Sequence, residues 1–287
     1  MQTSPAEDAA PHGRPAHATE AAAGPGGPPA QDAAAFLEVC NVAFRYANGT
    51  EALRDVSFAI RPGRNVAVIG PSGCGKSTLL HLVAELSRPT AGAIRWNRGD
   101  DGAAHPLSMV FQKDTLLPWL TVRKNVGATF RFRNTRGGAA RARVDELLRL
   151  GGLEAAAEQY PYQLSGGMRR RTQFLAAIAP QPRLLLLDEP FSSLDEPTRI
   201  ALHQDVLRIC RELDMSLLLI THDLAEAISL ADEILVLTRR PASVVSRHEV
   251  PFGRERDVHA LREDPRFHRM YADVWHELNA QIQASAS

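Results

Sequence analysis

The sequence predicts an α/β fold organised around a parallel sheet, and three observations predict it. The runs Val66-Ala67-Val68-Ile69, Leu184-Leu185-Leu186-Leu187 and Leu217-Leu218-Leu219-Ile220 are short, continuous and apolar, as strands covered on both faces are. Each run delivers polar residues at its carboxyl end, where open parallel sheets bind ligands. Those tips are a glycine-rich loop at 70–78, the pair Asp188-Glu189 and the pair Thr221-His222. An antiparallel β part precedes the first run, and a mainly helical insertion at about 113–166 separates the first run from the second.

The first tip carries the most specific signal. Gly70-Pro71-Ser72-Gly73-Cys74-Gly75-Lys76-Ser77-Thr78 fits the spacing G-x-x-x-x-G-K-[ST], and Thr78-Leu79-Leu80-His81-Leu82-Val83 after it reads as a helix. In that context the loop N–H groups and the helix N-terminus both point at an anion. Lys76 supplies a point charge for the β- and γ-phosphates of a nucleotide, and the Ser77 hydroxyl a ligand for Mg²⁺. A glycine turn that binds nothing would not need strand, loop and helix in this order.

Composition narrows the alternatives. The 287 residues suffice for one large or two ordinary domains, and 33 basic against 33 acidic side chains give zero formal net charge. Nothing in that balance attracts nucleic acid or an anionic membrane. Cys40, Cys74 and Cys210 are too few and too scattered for a disulfide framework or metal cluster, which suits a reducing compartment. Cys74 inside the phosphate loop reads as a small filler. No apolar run reaches the ~18 residues of a membrane-spanning helix, so the chain is not expected to cross a bilayer by itself.

Residues 1–35 are mostly Ala, Pro and Gly without apolar periodicity and are expected to be a disordered tail. They lack the basic start and apolar segment of a secretory signal, and His12 and His17 lack ligand spacing. From Phe36 the chain alternates in strand fashion, through Phe36-Leu37-Glu38-Val39 and Val56-Ser57-Phe58-Ala59-Ile60, with Asn48-Gly49 as a turn signal between them. This predicts an antiparallel β edge leading into the Gly70 strand, with Tyr46, by itself more often a core aromatic, just before the turn. Arg131, Arg133, Arg141, Arg143 and Arg149 in the insertion lack regular aromatic interleaving and are closely accompanied by Asp145, Glu146, Glu154 and Glu158. They read as a solvated helical surface rather than a nucleic-acid patch.

Asp188 is placed to hold Mg²⁺, while Glu189, pointing differently on the strand, is free to orient or deprotonate a water. His222 at the third tip is within reach of a γ-phosphate, although a lone histidine is more often structural. Leu164-Ser165-Gly166-Gly167-Met168 opens a further helix, 168–178, and makes a second anion cradle. A nucleotide already held at Gly70 needs only one, so the second must serve a second subunit.

Taken in order, residues 70–78, Gln112, Ser165-Gly166-Gly167, Asp188, Glu189, Ser193-Leu194-Asp195 and His222 resemble the ATP-binding subunit of ABC transporters. The resemblance covers about 36–240. It implies a P-loop NTPase core with a parallel sheet, an antiparallel β subdomain and a helical subdomain, leaving 241–287 as a C-terminal helical extension. It implies ATP and Mg²⁺ as ligands, with Tyr46 as the adenine-stacking aromatic and Gln112 as the glutamine that meets Mg²⁺ and the attacking water. Asp195 becomes the aspartate that crosses the dimer interface, and His222 the switch histidine. Two ATPase subunits, expected as a homodimer, would sandwich two ATP molecules at the cytoplasmic face of the membrane. Their partners would be membrane permease subunits and, through the complex, a solute-binding protein.

A narrower resemblance, in Val110-Phe111-Gln112-Lys113-Asp114-Thr115-Leu116-Leu117-Pro118-Trp119-Leu120-Thr121-Val122 and Leu237-Thr238-Arg239-Arg240-Pro241, is to the importer branch for nitrate, sulfonates and taurine. There, Leu116 to Trp119 would lie near the membrane subunit. Phe267, Met270, Tyr271, Val274, Trp275 and Leu278 share helical spacing and are expected to pack back on the domain. The chain departs from the family at Gln173, usually a smaller apolar residue, and at Ala176, usually arginine. A soluble ABC ATPase acting on ribosomes or DNA would show two cassettes or a coiled-coil insertion. A nucleotide-gated scaffold would not need Glu189 and His222.

Overall fold

The computed structural model describes residues 34–97, 107–132 and 137–283. His12, His17, Arg133 and all but the last two residues of the expected tail lie outside the described residues. In chain order the elements are β1 (Leu37–Arg45), β2 (Glu51–Ile60), β3 (Asn65–Ile69), α1 (Lys76–Val83), β4 (Ala91–Trp96), β5 (Leu107–Val110), α2 (Val122–Val126), α3 (Ala128–Phe132) and α4 (Gly138–Leu150). They continue with α5 (Gly166–Ile178), β6 (Leu184–Asp188), α6 (Glu196–Glu212), β7 (Ser216–Ile220), α7 (Leu224–Leu230), β8 (Glu233–Leu237), β9 (Val244–Glu249), α8 (Val258–Leu261) and α9 (Pro265–Gln283).

The three apolar runs become β3, β6 and β7 in a six-stranded sheet of order β5-β6-β7-β3-β8-β9, parallel except for β9. Their alternate residues serve two cores. Val66, Val68, Leu184, Leu186, Leu218 and Ile220 pack with α1 and the antiparallel sheet. Ala67, Ile69, Leu185, Leu187, Leu217 and Leu219 pack with residues of α4 to α7 and α9. The continuous runs follow from this, since period-2 side chains meet apolar cover on either face.

The antiparallel part is not an edge of the parallel sheet, as expected from sequence, but a separate three-stranded sheet of order β2-β1-β4. An isolated bridge, Leu53 to Ala242, and a bond from Arg247 Nη2 to Ser57 O at 2.6 Å join the two, and the antiparallel sheet lies over the face carrying Val66 and Val68. The predicted hairpin is present: Tyr46 N–H donates to Thr50 O at 2.9 Å and Gly49 N–H to Tyr46 O at 2.9 Å. Strand β4, Ala91-Gly92-Ala93-Ile94-Arg95-Trp96, has too weak an alternation to be read in advance and pairs with β1.

The segment after residue 240 is not helical throughout. It opens with β9, which completes the sheet beside β8, before α8 and α9. On α9, Phe267, Met270, Val274 and Leu278 are buried, whereas Tyr271 and Trp275 are 39% and 44% exposed. The inward stripe is therefore narrower than the sequence suggested, because one helix face spaced 3-4-4 fills the contact. Among the described residues no helix is long and apolar enough to cross a membrane.

This last segment is tied to the sheet by a buried ion pair. Arg256 bonds Asp232 and the Ala231 carbonyl, and Asp232 also accepts the Asn65 N–H at 2.9 Å at the start of β3. Both side chains are almost completely buried, so removing one leaves an uncompensated charge in the interior. Arg256→Met is expected to destabilise the chain by about 3–5 kcal/mol, read from the urea midpoint, and Arg256→Met with Asp232→Asn to lose less than that single change. Equal losses for single and double variants would contradict this account.

Candidate nucleotide site

The glycine loop closes on its own backbone. Gly75 has φ of 129° at the start of α1, and a Cβ there would meet Ala52 O and Leu53 Cδ2 at 3.0 Å, so the turn needs glycine twice over. Lys76 is buried, and its Nζ donates to Gly70 O at 2.9 Å and Pro71 O at 3.1 Å. The ammonium thus lies across the mouth of the loop. Cys74 is buried and its thiol is pushed up by that burial, which keeps it protonated, as a filler requires.

Tyr46 comes to this loop from the hairpin turn. Its hydroxyl lies 2.5 Å from Thr78 Oγ1, and its ring meets Phe44 edge-on at 5.0 Å. It remains 40% exposed, leaving ring surface free to stack. Arg240, named in sequence only within a family pattern, also reaches the loop, donating to Gly73 O at 2.8 Å.

The other tips meet beside it. Ser77 Oγ donates to Asp188 Oδ1 at 3.1 Å, which sets two hard oxygen donors together. Burial, ahead of the opposing Ser77 hydrogen bond, pushes the Asp188 carboxyl up. Glu189 has left the strand, with φ of 44° and its N–H donating to Ile220 O at 2.9 Å. Its direction is set by this left-handed turn as well as by strand alternation, and such conformations cost about 1–3 kcal/mol unless the surroundings hold them. One carboxylate oxygen, Glu189 Oε2, then accepts from Gln112 Nε2 at 3.3 Å and lies 3.2 Å from His222 Nδ1. Residues that follow β5, β6 and β7 are so brought together, as the strand-end argument expected.

Behind His222 lies a buried group that sequence reasoning missed. Thr221 Oγ1 donates to Glu226 Oε2 at 2.6 Å and accepts the Asp223 N–H at 2.9 Å. Glu226 is buried, and burial pushes its carboxyl up to about 7.

The second cradle stands on other elements. Ser165 caps α5 by accepting the Met168 N–H at 3.2 Å. A Cβ on Gly167 would lie 2.7 Å from Thr198 Cγ2, so this helix start is pressed against the start of α6. Asp195 caps α6 by accepting the Thr198 N–H at 3.4 Å, and its hydrogen bonding with Thr198 holds the carboxyl low. The exposed Ser165, Gly166 and Asp195 are thus anchored at the starts of α5 and α6, elements other than those that carry Gly70 and Lys76.

The ABC transporter family matches residues 53–192. The taurine import ATP-binding protein TauB of Jannaschia sp. is 36% identical over 265 residues, covering 87% of this chain and 99% of that protein. The chain belongs to the ATP-binding subunits of ABC transporters. As a member it binds ATP and is an ATPase. The nitrate import ATP-binding protein NrtC of Synechococcus elongatus is 40% identical over 241 residues, 81% of this chain but 36% of that protein, so this chain spans little more than a third of that relative. Among solved structures, the dimeric ATP-binding cassette MJ0796 bound to ADP and Pi is similar, with a TM-score of 0.63 and 29% identity over 75% of this chain and 98% of that one. The ABC fold read from the motif order is the fold found.

Burial of Glu226 carries a pH signature. Its ordinary value near 4.5 is raised to about 7, so the folded state holds a proton that the unfolded chain releases. Stability associated with this group is present below pH 4.5 and lost as pH rises to about 7. Glu226→Gln, which keeps a partner for Thr221 without a charge, is expected to raise Tm at pH 8 and to change it much less at pH 5. A Tm gain that is larger at pH 5 would contradict the assignment.

Proposed function

We propose that this chain is the ATP-hydrolysing subunit that powers an ABC importer of a small solute of the nitrate, sulfonate or taurine kind, and that closure of an ATP-bound dimer drives the transporter. The observation that carries the reading is the convergence of Gln112, Glu189 and His222 on one carboxylate oxygen, beside the Ser77–Asp188 pair and the phosphate loop.

In this reading the backbone of Gly70, Pro71, Ser72, Gly73, Cys74 and Gly75, with Ser77 and Thr78, cradles the phosphates, Lys76 turns from its loop carbonyls to the β- and γ-phosphates, and Tyr46 stacks on adenine. Glu189 orients the attacking water and takes its proton as the bond between Pγ and the bridging oxygen breaks, giving ADP and phosphate. Gln112 helps to fix that water, and His222 donates to the γ-phosphate oxygens as charge builds there. Ser77 and Asp188, with Gln112, have the oxygen chemistry to hold Mg²⁺, which when bound neutralises charge between the β- and γ-phosphates.

Ser165, Gly166 and Gly167 serve the ATP of a second subunit through the N-terminus of α5, and Asp195 crosses to it. The exposure of this cradle and the dimeric form of the MJ0796 relative support a sandwich of two ATP molecules. The import names of TauB and NrtC support permease subunits as partners, a solute-binding protein reached through them, and a place at the cytoplasmic face of the membrane.

Glu189→Gln tests the reading. It is expected to lower ATP hydrolysis by about 10²–10⁴-fold while ATP affinity, measured by nucleotide titration, is retained. The same trapped variant, purified from gently solubilised membranes with ATP, is expected to bring down a polytopic membrane protein. Undiminished hydrolysis would remove Glu189 from the mechanism, and ribosomal or DNA-bound partners without a membrane subunit would overturn the importer assignment.

A further inference from the structure

We infer that Arg170 and Gln173 form a positioning clamp that locks helix α5, whose N-terminus carries the Ser165-Gly166-Gly167 cradle, to the backbone around Gln112. Gln173 is one of the two positions at which the sequence departs from the family, and it is buried rather than exposed, as is Arg170. A buried amide and a buried guanidinium need partners, and both find them in one loop. Arg170 Nη1 donates to Phe111 O at 2.9 Å and Nη2 to Gln112 O at 2.8 Å. Gln173 Oε1 accepts from Arg170 Nη1 at 2.7 Å, and its Nε2 donates to Asp114 Oδ1 at 2.9 Å and to Lys113 O at 3.4 Å.

Four consecutive residues, 111 to 114, are therefore held by two side chains one helical turn apart. The Gln112 side chain, whose main chain is gripped in this way, is the one that reaches Glu189 Oε2 at 3.3 Å. Asp114 extends the clamp forward, because its Oδ1 also accepts the Leu116 N–H at 2.9 Å. It also ties back to the cradle helix, with Arg169 Nε 3.7 Å from Asp114 Oδ2. Shared polar contacts of this kind, built on the buried Arg170–Gln173 bond and mutually satisfied, are stiff. Helix α5 and the Gln112 loop move as one body, so a partner's nucleotide seated on α5 fixes where Gln112 stands over this chain's own nucleotide. Neither clamp residue touches ATP; both act through Gln112. The inference rests on the ATPase reading given above.

The test is a double-mutant cycle on ATP hydrolysis by the full chain in complex with its membrane partner. Arg170→Met is expected to lower kcat about tenfold with KM for ATP changed less than about twofold, because a misplaced catalytic group slows the chemical step without loosening the phosphate loop. In a Gln112→Ala background the same change is expected to cost less than about twofold, since the residue being positioned is gone. Gln173→Leu, close in volume, is expected to behave alike and carries the test should Arg170→Met fail to fold in a thermal melt. Full activity in Gln173→Leu, or an undiminished kcat loss in the Gln112→Ala background, would overturn the clamp. The unsubstituted complex and Glu189→Gln run alongside separate the two claims: no hydrolysis by the unsubstituted complex sinks the ATPase reading, whereas hydrolysis that Glu189→Gln abolishes, with an additive cycle, sinks the clamp alone.

Discussion

A parallel sheet has to be covered on both faces, and most of this molecule answers that constraint. Leu184 to Leu187 shows the rule in four residues, alternate leucines entering one core with α1 and the antiparallel sheet and another with the helices. The antiparallel sheet exists as a separate layer because the face carrying Val66 and Val68 needs apolar cover. Because these strands run the same way, their polar ends emerge along one edge, and Lys76, Asp188 and Glu189 are neighbours there by consequence of topology.

At that edge the chain accepts local cost. Glu189 stands in a left-handed conformation unfavourable for a residue with a Cβ, Asp188 is partly buried beside Ser77, and Glu226 lies in the interior behind Thr221. The deep cores on either face of the sheet provide the surroundings that hold such groups in place.

Legibility in the sequence followed the range of the interactions. Residues 70–78 were readable because strand, loop and helix are adjacent in the chain, and a local pattern suffices to specify local backbone. Asp188, Glu189 and His222 were readable as strand tips, although their separation in the chain hid that Gln112 and His222 share one oxygen of Glu189. Strand β4 was missed because Ala91-Gly92-Ala93 carries little of the alternation that marks a strand, and its pairing with β1 depends on residues 48 to 59 positions away. Strand β9 was missed for a related reason: as an edge strand it is only half covered. Tyr271 and Trp275 fitted the helical period of α9, but which of two adjoining stripes turns inward is decided by the surface it meets.

The sequence by itself determined the phosphate loop, the buried strands, the order of polar tips and hence the ABC family, because each is encoded by neighbouring residues whose periods and backbone needs are intrinsic. Only the tertiary structure decided which groups converge on Glu189, that the antiparallel strands form a layer of their own, and that Gln173 is a buried partner of the Gln112 loop. Those outcomes depend on side chains from distant segments satisfying one another's polar groups in the same enclosed space, and no local pattern records such pairings.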